Sequence, residues 1–229
     1  MESLLIKNGR VIDPSQKLDK VADILIEDGK VSQIASQLKS RSGRVLEAKG
    51  LIVTPGLIDI HVHLREPGRE DEETIRSGSE AAAGGGFTAI CCMPNTYPVN
   101  DNPAVTSFIL TEAERRAIIH VFPIGAITVG SLGKRLAEIG EMVHAGVVGI
   151  SDDGKGVMNG QLMRRAMEYS LPFKIPLIEH CEDLSLAALG VMNEGYHSTL
   201  LGLKGMSRSA EDVMVARNIM LAELTGAHI

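Results

Sequence analysis

The chain has 229 residues, 44% of them hydrophobic, 23% charged and only 3% aromatic with no Trp, and a formal net charge of −6. That length can bury a substantial core, which must be built from Ile, Leu, Val, Ala and Met and so suits a layered α/β fold. The negative charge comes without charge runs or a basic stripe, which argues against nucleic acid or an anionic membrane as a partner.

The opening "MESLLIKNGR" lacks the charged n-region and apolar h-region of a signal peptide. The longest mostly apolar run, "AIIHVFPIGAITVG", is about fourteen residues and is interrupted by His, Pro and Gly, too short to span a bilayer. Three cysteines, with Cys91 and Cys92 adjacent, form no disulfide framework and no CxxC pair. A cytoplasmic protein is expected.

Residues 1–50 read as a small β module. "LLIKNGRVID" places Asn8 and Gly9 between apolar stretches, and "ADILIEDGKVSQIA" does the same with Asp28 and Gly29. Both pairs tolerate positive φ, so both predict hairpin turns. From residue 51 to 229 the pattern becomes strand, loop, helix, repeated. The predicted strands are "GLIDIHV", "FTAICCM", "HVFPIGAIT", "GVVGISD" and "IPLIEHC", and "AHI" at the end looks like a sixth beginning. Their centres lie roughly thirty residues apart, the length of a strand plus crossover helix, so the strands are expected to be parallel. A helix start is predicted at Pro103 after Asp101 and Asn102, and Ser209 with Asp212 resembles an N-terminal cap.

Periodicity fixes the repeating unit but not the closure, so an open doubly wound sheet and a partial barrel both satisfy it. Polar residues favour the barrel. "HVH", "MPN", "SDD" and "EHCED" all fall at the C-terminal ends of predicted strands, which a barrel gathers on one rim.

Residues i and i+2 of a strand share a face, so His61 and His63 project together. An isolated pair of this kind is more often two separately hydrogen-bonded histidines. Asp152 and Asp153 end the fourth strand before a Gly-rich turn, where acidic residues also serve as simple turn caps. His180 ends the fifth strand, on the face opposite Glu179 and Cys181. Two histidines, an aspartate and a third histidine from three strand ends make an N and O set suited to Zn²⁺ or a similar divalent ion. Such an ion polarises carbonyls and acidifies water, the requirements of amide or ester hydrolysis. Arg65 offers a planar fork for a carboxylate, and Asn95 an amide donor. His120, His144, His197 and His228 lack this clustering.

"PGLIDIHVHLREPG" resembles the dihydroorotase signature of the amidohydrolase superfamily, Asp-x-His-x-His followed by an apolar residue, Arg and a nearby Pro, here Asp59, His61, His63, Leu64, Arg65 and Pro67. "MPNT", "SDDG" and "EHCED" are similar to the corresponding family segments, in order and spacing, so the resemblance covers essentially the whole chain.

The resemblance implies a partial TIM-type (β/α)8 metallo-dependent hydrolase barrel over residues 51–229, with a small N-terminal β-sandwich module over 1–50. It implies one or two zinc ions, His61 and His63 on the first, Asp153 as carboxylate ligand or bridge, and His180 at the second position. Arg65 and Asn95 would hold the substrate carboxylate. The implied reaction is the reversible cyclisation of N-carbamoyl-L-aspartate to dihydroorotate in pyrimidine synthesis. Related hydantoinases and allantoinases bridge their metals with a carboxylated Lys on strand four. This chain has Asp153 there, with Lys155 beyond the strand end, which favours the dihydroorotase class. The family's strand-six ligand His and its general acid/base Asp fall beyond Ile229, so no catalytic proton carrier is expected within the chain. It reads as an N-terminal fragment inactive by itself. The alternatives are a non-catalytic subunit that scaffolds aspartate transcarbamoylase and another cyclic amidase. Expected partners are the small-molecule substrate, with a homo-oligomer and aspartate transcarbamoylase also admitted.

Overall fold

The chain divides into two units, residues 1–57 and 58–229, in a computed structural model that describes residues 3–39 and 43–229.

In the first unit β1 (Ser3–Asp13), β2 (Leu18–Glu27), β3 (Lys30–Ala35) and β4 (Arg44–Glu47) lie in the order β3-β2-β1-β4, and β5 (Ile52–Val53) also pairs with β1. Asp28 at φ 50° and Gly29 at φ 75° make the β2–β3 turn that the sequence predicts. The turn expected at Asn8-Gly9 does not form. β1 runs straight through, with its register against β2 shifted between Ile6 and Gly9, so Asn8 at φ 61° is a bulge. The N–H of Asn8 donates to Asp23 Oδ1 at 2.8 Å, while Asp23 Oδ2 accepts from the N–H of Leu38 at 2.9 Å. That buried carboxylate satisfies the donor the ladder leaves unpaired. Val11, Ala22 and Ile24 form the core beneath the sheet.

The second unit alternates strands and helices: β6 (Leu57–Val62), α1 (Ile75–Gly84), β7 (Phe87–Cys92), α2 (Pro103–Arg116), β8 (His120–Pro123), α3 (Ile139–Ala145), β9 (Ile150–Ser151), α4 (Gly160–Ser170) and β10 (Leu177–Ile178). There follow α5 (Leu184–Ala187), β11 (Met192–Asn193), α6 (Tyr196–Leu201), β12 (Gly205–Met206) and α7 (Ser209–Thr225). β6, β7 and β8 are successive neighbours, with β7 and β8 parallel. A parallel bridge from Gly125 to Ile150 joins the end of β8 to β9, and β9 is parallel to β10. The N–H of Leu177 then donates to the His228 carbonyl at 2.9 Å. From β6 to β10 spatial order therefore follows chain order, with no reversal among the described residues of the kind that marks a doubly wound sheet. The fold is α/β, an arc of a (β/α) barrel.

Several strands are shorter than their apolar runs. β8 ends at Pro123, although apolar residues continue to Thr128, because the N–H groups of Ile127 and Thr128 donate to the Asp152 carboxylate at 2.8 and 3.0 Å instead of to a ladder. The core packs Ile127, Ile139, Met142, Ile150, Met163 and Met167, all fully buried aliphatic or Met side chains. Asn102 caps α2, accepting from the N–H groups of Ala104 and Val105, with Pro103 in the first turn as predicted. The cap expected from Ser209 does not form. α7 begins at Ser209 itself, whose N–H donates to Ser207 Oγ at 3.3 Å, and Glu211 and Asp212 lie in its first turn. No helix among the described residues is long and apolar enough to cross a membrane.

Candidate metal centre

Three strand ends bring His61, His63, Asp153 and Asn95 together. His61 lies on β6 and His63 one residue past it, with ring centroids 5.3 Å apart. Asp153, two residues beyond β9, places Oδ1 3.2 Å from His61 Nε2 and Oδ2 3.7 Å from His63 Nε2. Asn95, after β7, joins the same group. Its Oδ1 is 3.0 Å from His63 Nδ1, and its Nδ2 donates to Asp153 Oδ2 at 2.9 Å. The ligand atoms of His61, His63 and Asp153 all lie within 4.8 Å of one another, so these three form a group able to hold a metal ion. Two imidazoles and one carboxylate fit a divalent cation of borderline character.

The adjacent carboxylates of "SDD" divide between two tasks. Asp152 is buried and accepts from the N–H groups of Ile127 and Thr128 and from the Thr128 hydroxyl. Burial still holds its pKa above the ordinary carboxylate range. This lock ties the end of β9 to the loop after β8 and leaves Asp153 to the histidines. Lys155 is exposed, and its backbone N–H closes a turn onto the Asp152 carbonyl.

The segment before α1 is held in a comparable way. Glu66 is buried and accepts from the N–H of Ile75 at 2.8 Å, at the start of α1. Gly68, at φ 103°, lies so close to the Tyr97 backbone that a Cβ would collide with it, and the N–H of Tyr97 donates to the Pro67 carbonyl at 2.9 Å. The loops after β6 and β7 are thus fixed to each other. Arg65 between them is in the left-handed region at φ 59°, uncommon for a residue with a side chain, and its Nε lies 3.4 Å from Glu72 Oε2.

His180 is not part of the three-residue group. Its Nε2 is 3.1 Å from Glu182 Oε2. The neighbouring Glu179 faces the other way. Its side chain is 2% exposed, Oε1 accepts from the N–H of Val157 at 2.8 Å and lies 3.5 Å from Arg217, and Oε2 is buried without a hydrogen bond. Burial pushes this carboxyl up to about 7. The sequence alone assigns no role to Asp59, whose Oδ1 accepts from the backbone N–H of His61 at 3.1 Å, or to Glu66. The signal for Asp59 is its place at the head of the Asp-x-His-x-His pattern, two residues before His61.

Residues 50–229 match the family model described as dihydro-orotase-like. The chain belongs to that family. Within it, the chain is 58% identical over 224 residues to a dihydroorotase of Solibacter usitatus (strain Ellin6076), an alignment covering 98% of this chain and 52% of that protein. It is 56% identical over 224 residues to a dihydroorotase of Geobacter metallireducens (strain ATCC 53774 / DSM 7210 / GS-15), covering 97% and 53%. This dihydro-orotase-like chain thus spans about half the length of the curated relatives it matches. Among solved structures it resembles an L-hydantoinase (dihydropyrimidinase) from Arthrobacter aurescens, with a TM-score of 0.82 at 22% identity over 99% of this chain and 52% of that one. A D-hydantoinase (dihydropyrimidinase) from Thermus sp. gives 0.73 at 23% identity, over 98% and 50%. At such identities the likeness is one of fold.

Proposed function

We propose that the protein carrying this chain is a zinc-dependent dihydroorotase, a cyclic amidohydrolase that interconverts N-carbamoyl-L-aspartate and dihydroorotate. The observation that carries the reading is the convergence of His61, His63 and Asp153 within 4.8 Å, in a chain of the dihydro-orotase-like family. Ring closure forms an amide bond between the carbamoyl nitrogen and a carboxyl carbon with loss of water, and ring opening adds water back across that bond. An ion held by His61, His63 and Asp153 supplies Lewis acidity toward the amide carbonyl and lowers the pKa of water.

The chain's own residues bind and orient. His61 and His63 offer ring nitrogens and Asp153 a carboxylate whose two oxygens address one histidine each. His180, at the end of β10, is assigned to a second metal position. Arg65 and Asn95 are assigned to the substrate carboxylate, a planar fork and an amide donor respectively. All three cysteines are free, which suits the cytoplasm.

The test is hydrolysis of dihydroorotate by the full-length protein supplied with Zn²⁺. Turnover of dihydroorotate, and its loss in Asp153→Ala, is expected. Activity on hydantoin or allantoin in its place would sink the substrate assignment, and a protein that binds no metal when supplied would indicate the scaffold role instead.

A further inference from the structure

We propose that Asn95 is a positioning residue of the metal centre: one side-chain amide fixes which nitrogen of His63 faces the cation and holds the Asp153 carboxylate in place beside it. This rests on the reading that His61, His63 and Asp153 hold a divalent ion, and it goes beyond the assignment of Asn95 to the substrate.

The argument is one of hydrogen-bond capacity. An ionised carboxylate accepts and cannot donate, so the Asn95 atom facing Asp153 Oδ2 at 2.9 Å is the amide nitrogen. That fixes the orientation of the amide, which places its carbonyl oxygen 3.0 Å from His63 Nδ1. A carbonyl oxygen also only accepts. His63 Nδ1 must therefore carry a proton, so in the neutral imidazole Nε2 is the nitrogen that keeps its lone pair, on the side of Asp153 and 3.7 Å from Oδ2. A metal ligand needs that lone pair, and an imidazole without such a partner distributes its proton over both nitrogens.

Asn95 also links the loop after β7 to the segments after β6 and β9 through a single side chain. It follows β7, yet it touches a side chain 32 residues earlier, after β6, and one 58 residues later, after β9. No other residue type of this size serves both contacts. A leucine would offer neither, and an aspartate would set a second negative charge against Asp153. The loop that carries Asn95 is itself anchored, since the N–H of Asn100 donates to the Pro94 carbonyl at 3.0 Å and the Asn100 side chain bonds to Ile124 and Thr106. The amide is thus presented from a fixed backbone.

The experiment uses the full-length protein carrying this chain, stripped of metal, with Zn²⁺ as the probe in competition with a chromophoric chelator. Asn95→Ala and Asn95→Leu are expected to weaken Zn²⁺ binding about 10–100-fold, the range for partners that orient a metal-bound histidine, whereas a role confined to substrate leaves it within about twofold and overturns the proposal. A second measurement needs no variant. The ¹⁵N shifts of metal-free wild type at alkaline pH are expected to show His63 protonated at Nδ1, and protonation at Nε2 overturns the proposal even if both variants misfold. His63→Ala and Asp153→Ala separate the two layers. If they too leave Zn²⁺ affinity unchanged, the metal-site reading fails; if they abolish it while Asn95→Leu does not, only the role of Asn95 fails.

Discussion

Gly156 is pressed against the backbone of His180: a Cβ at Gly156 would sit 2.7 Å from the His180 carbonyl oxygen and 3.1 Å from that of Glu182. The loop that follows Asp153 therefore lies directly on the strand end that carries His180. Gly156→Ala must push these two segments apart, and we expect a loss of roughly 1–3 kcal/mol in stability. Thermal unfolding checks it against Gly160→Ala, where the nearest atom is 3.8 Å away and little change is expected. Equal melting temperatures for the two variants would refute the close packing.

Asp152 and Asp153 are predicted to respond oppositely to removal. Asp152→Ala strands two buried N–H groups and a hydroxyl, and is expected to cost about 2–5 kcal/mol. Asp153→Ala should change the metal-free protein by no more than about 1 kcal/mol while removing metal binding. Urea unfolding of both variants, paired with metal analysis, decides the matter.

Glu179 gives the protein a pH dependence of known sign. Its carboxyl rises from the ordinary 4.5 to about 7 because it is buried. The folded state thus binds a proton that the unfolded state releases. The stabilisation is complete below about 4.5 and is lost as pH rises through about 7. Glu179→Gln removes the titration. Its melting temperature relative to wild type is expected to rise between pH 5 and pH 8, and a difference constant across that range would refute the assignment.

Cys92 is buried, and its thiol is pushed up to about 12 by that burial. Almost none of it is thiolate at pH 8, and the thiolate is the reactive form. A thiol reagent is expected to modify Cys92 only as the protein unfolds, followed by mass spectrometry in native buffer and in urea. Similar rates in the two conditions would contradict its place in the core.

What was legible in the sequence was mostly short-range. The Asp28-Gly29 turn and the Asn102-Pro103 cap each depend on neighbours, so residue type decides them. The HxH pair follows from strand alternation, and the α/β unit from the repeat. Asn8-Gly9 carries the same local signal as Asp28-Gly29 but forms a bulge, because its outcome is decided by Asp23, fifteen residues away. The split between Asp152 and Asp153 was equally hidden, since it depends on N–H groups of Ile127 and Thr128 on another loop. Asn95 was legible as a polar strand-end residue, but not as the link between His63 and Asp153. The barrel is expected from the polar strand ends and the family resemblance, and the pairing of strands in chain order bears it out.

The division of labour at "SDD" has a consequence for how such a protein can change over time. The residue that closes the loops and the residue that meets the histidines are covalent neighbours, yet they share no hydrogen-bond partner. A lineage can therefore lose Asp153 by one substitution and keep a folded, expressible chain. The bonds that hold these loops thus do not depend on the residue proposed to meet a metal, so the fold can outlast the loss of that residue.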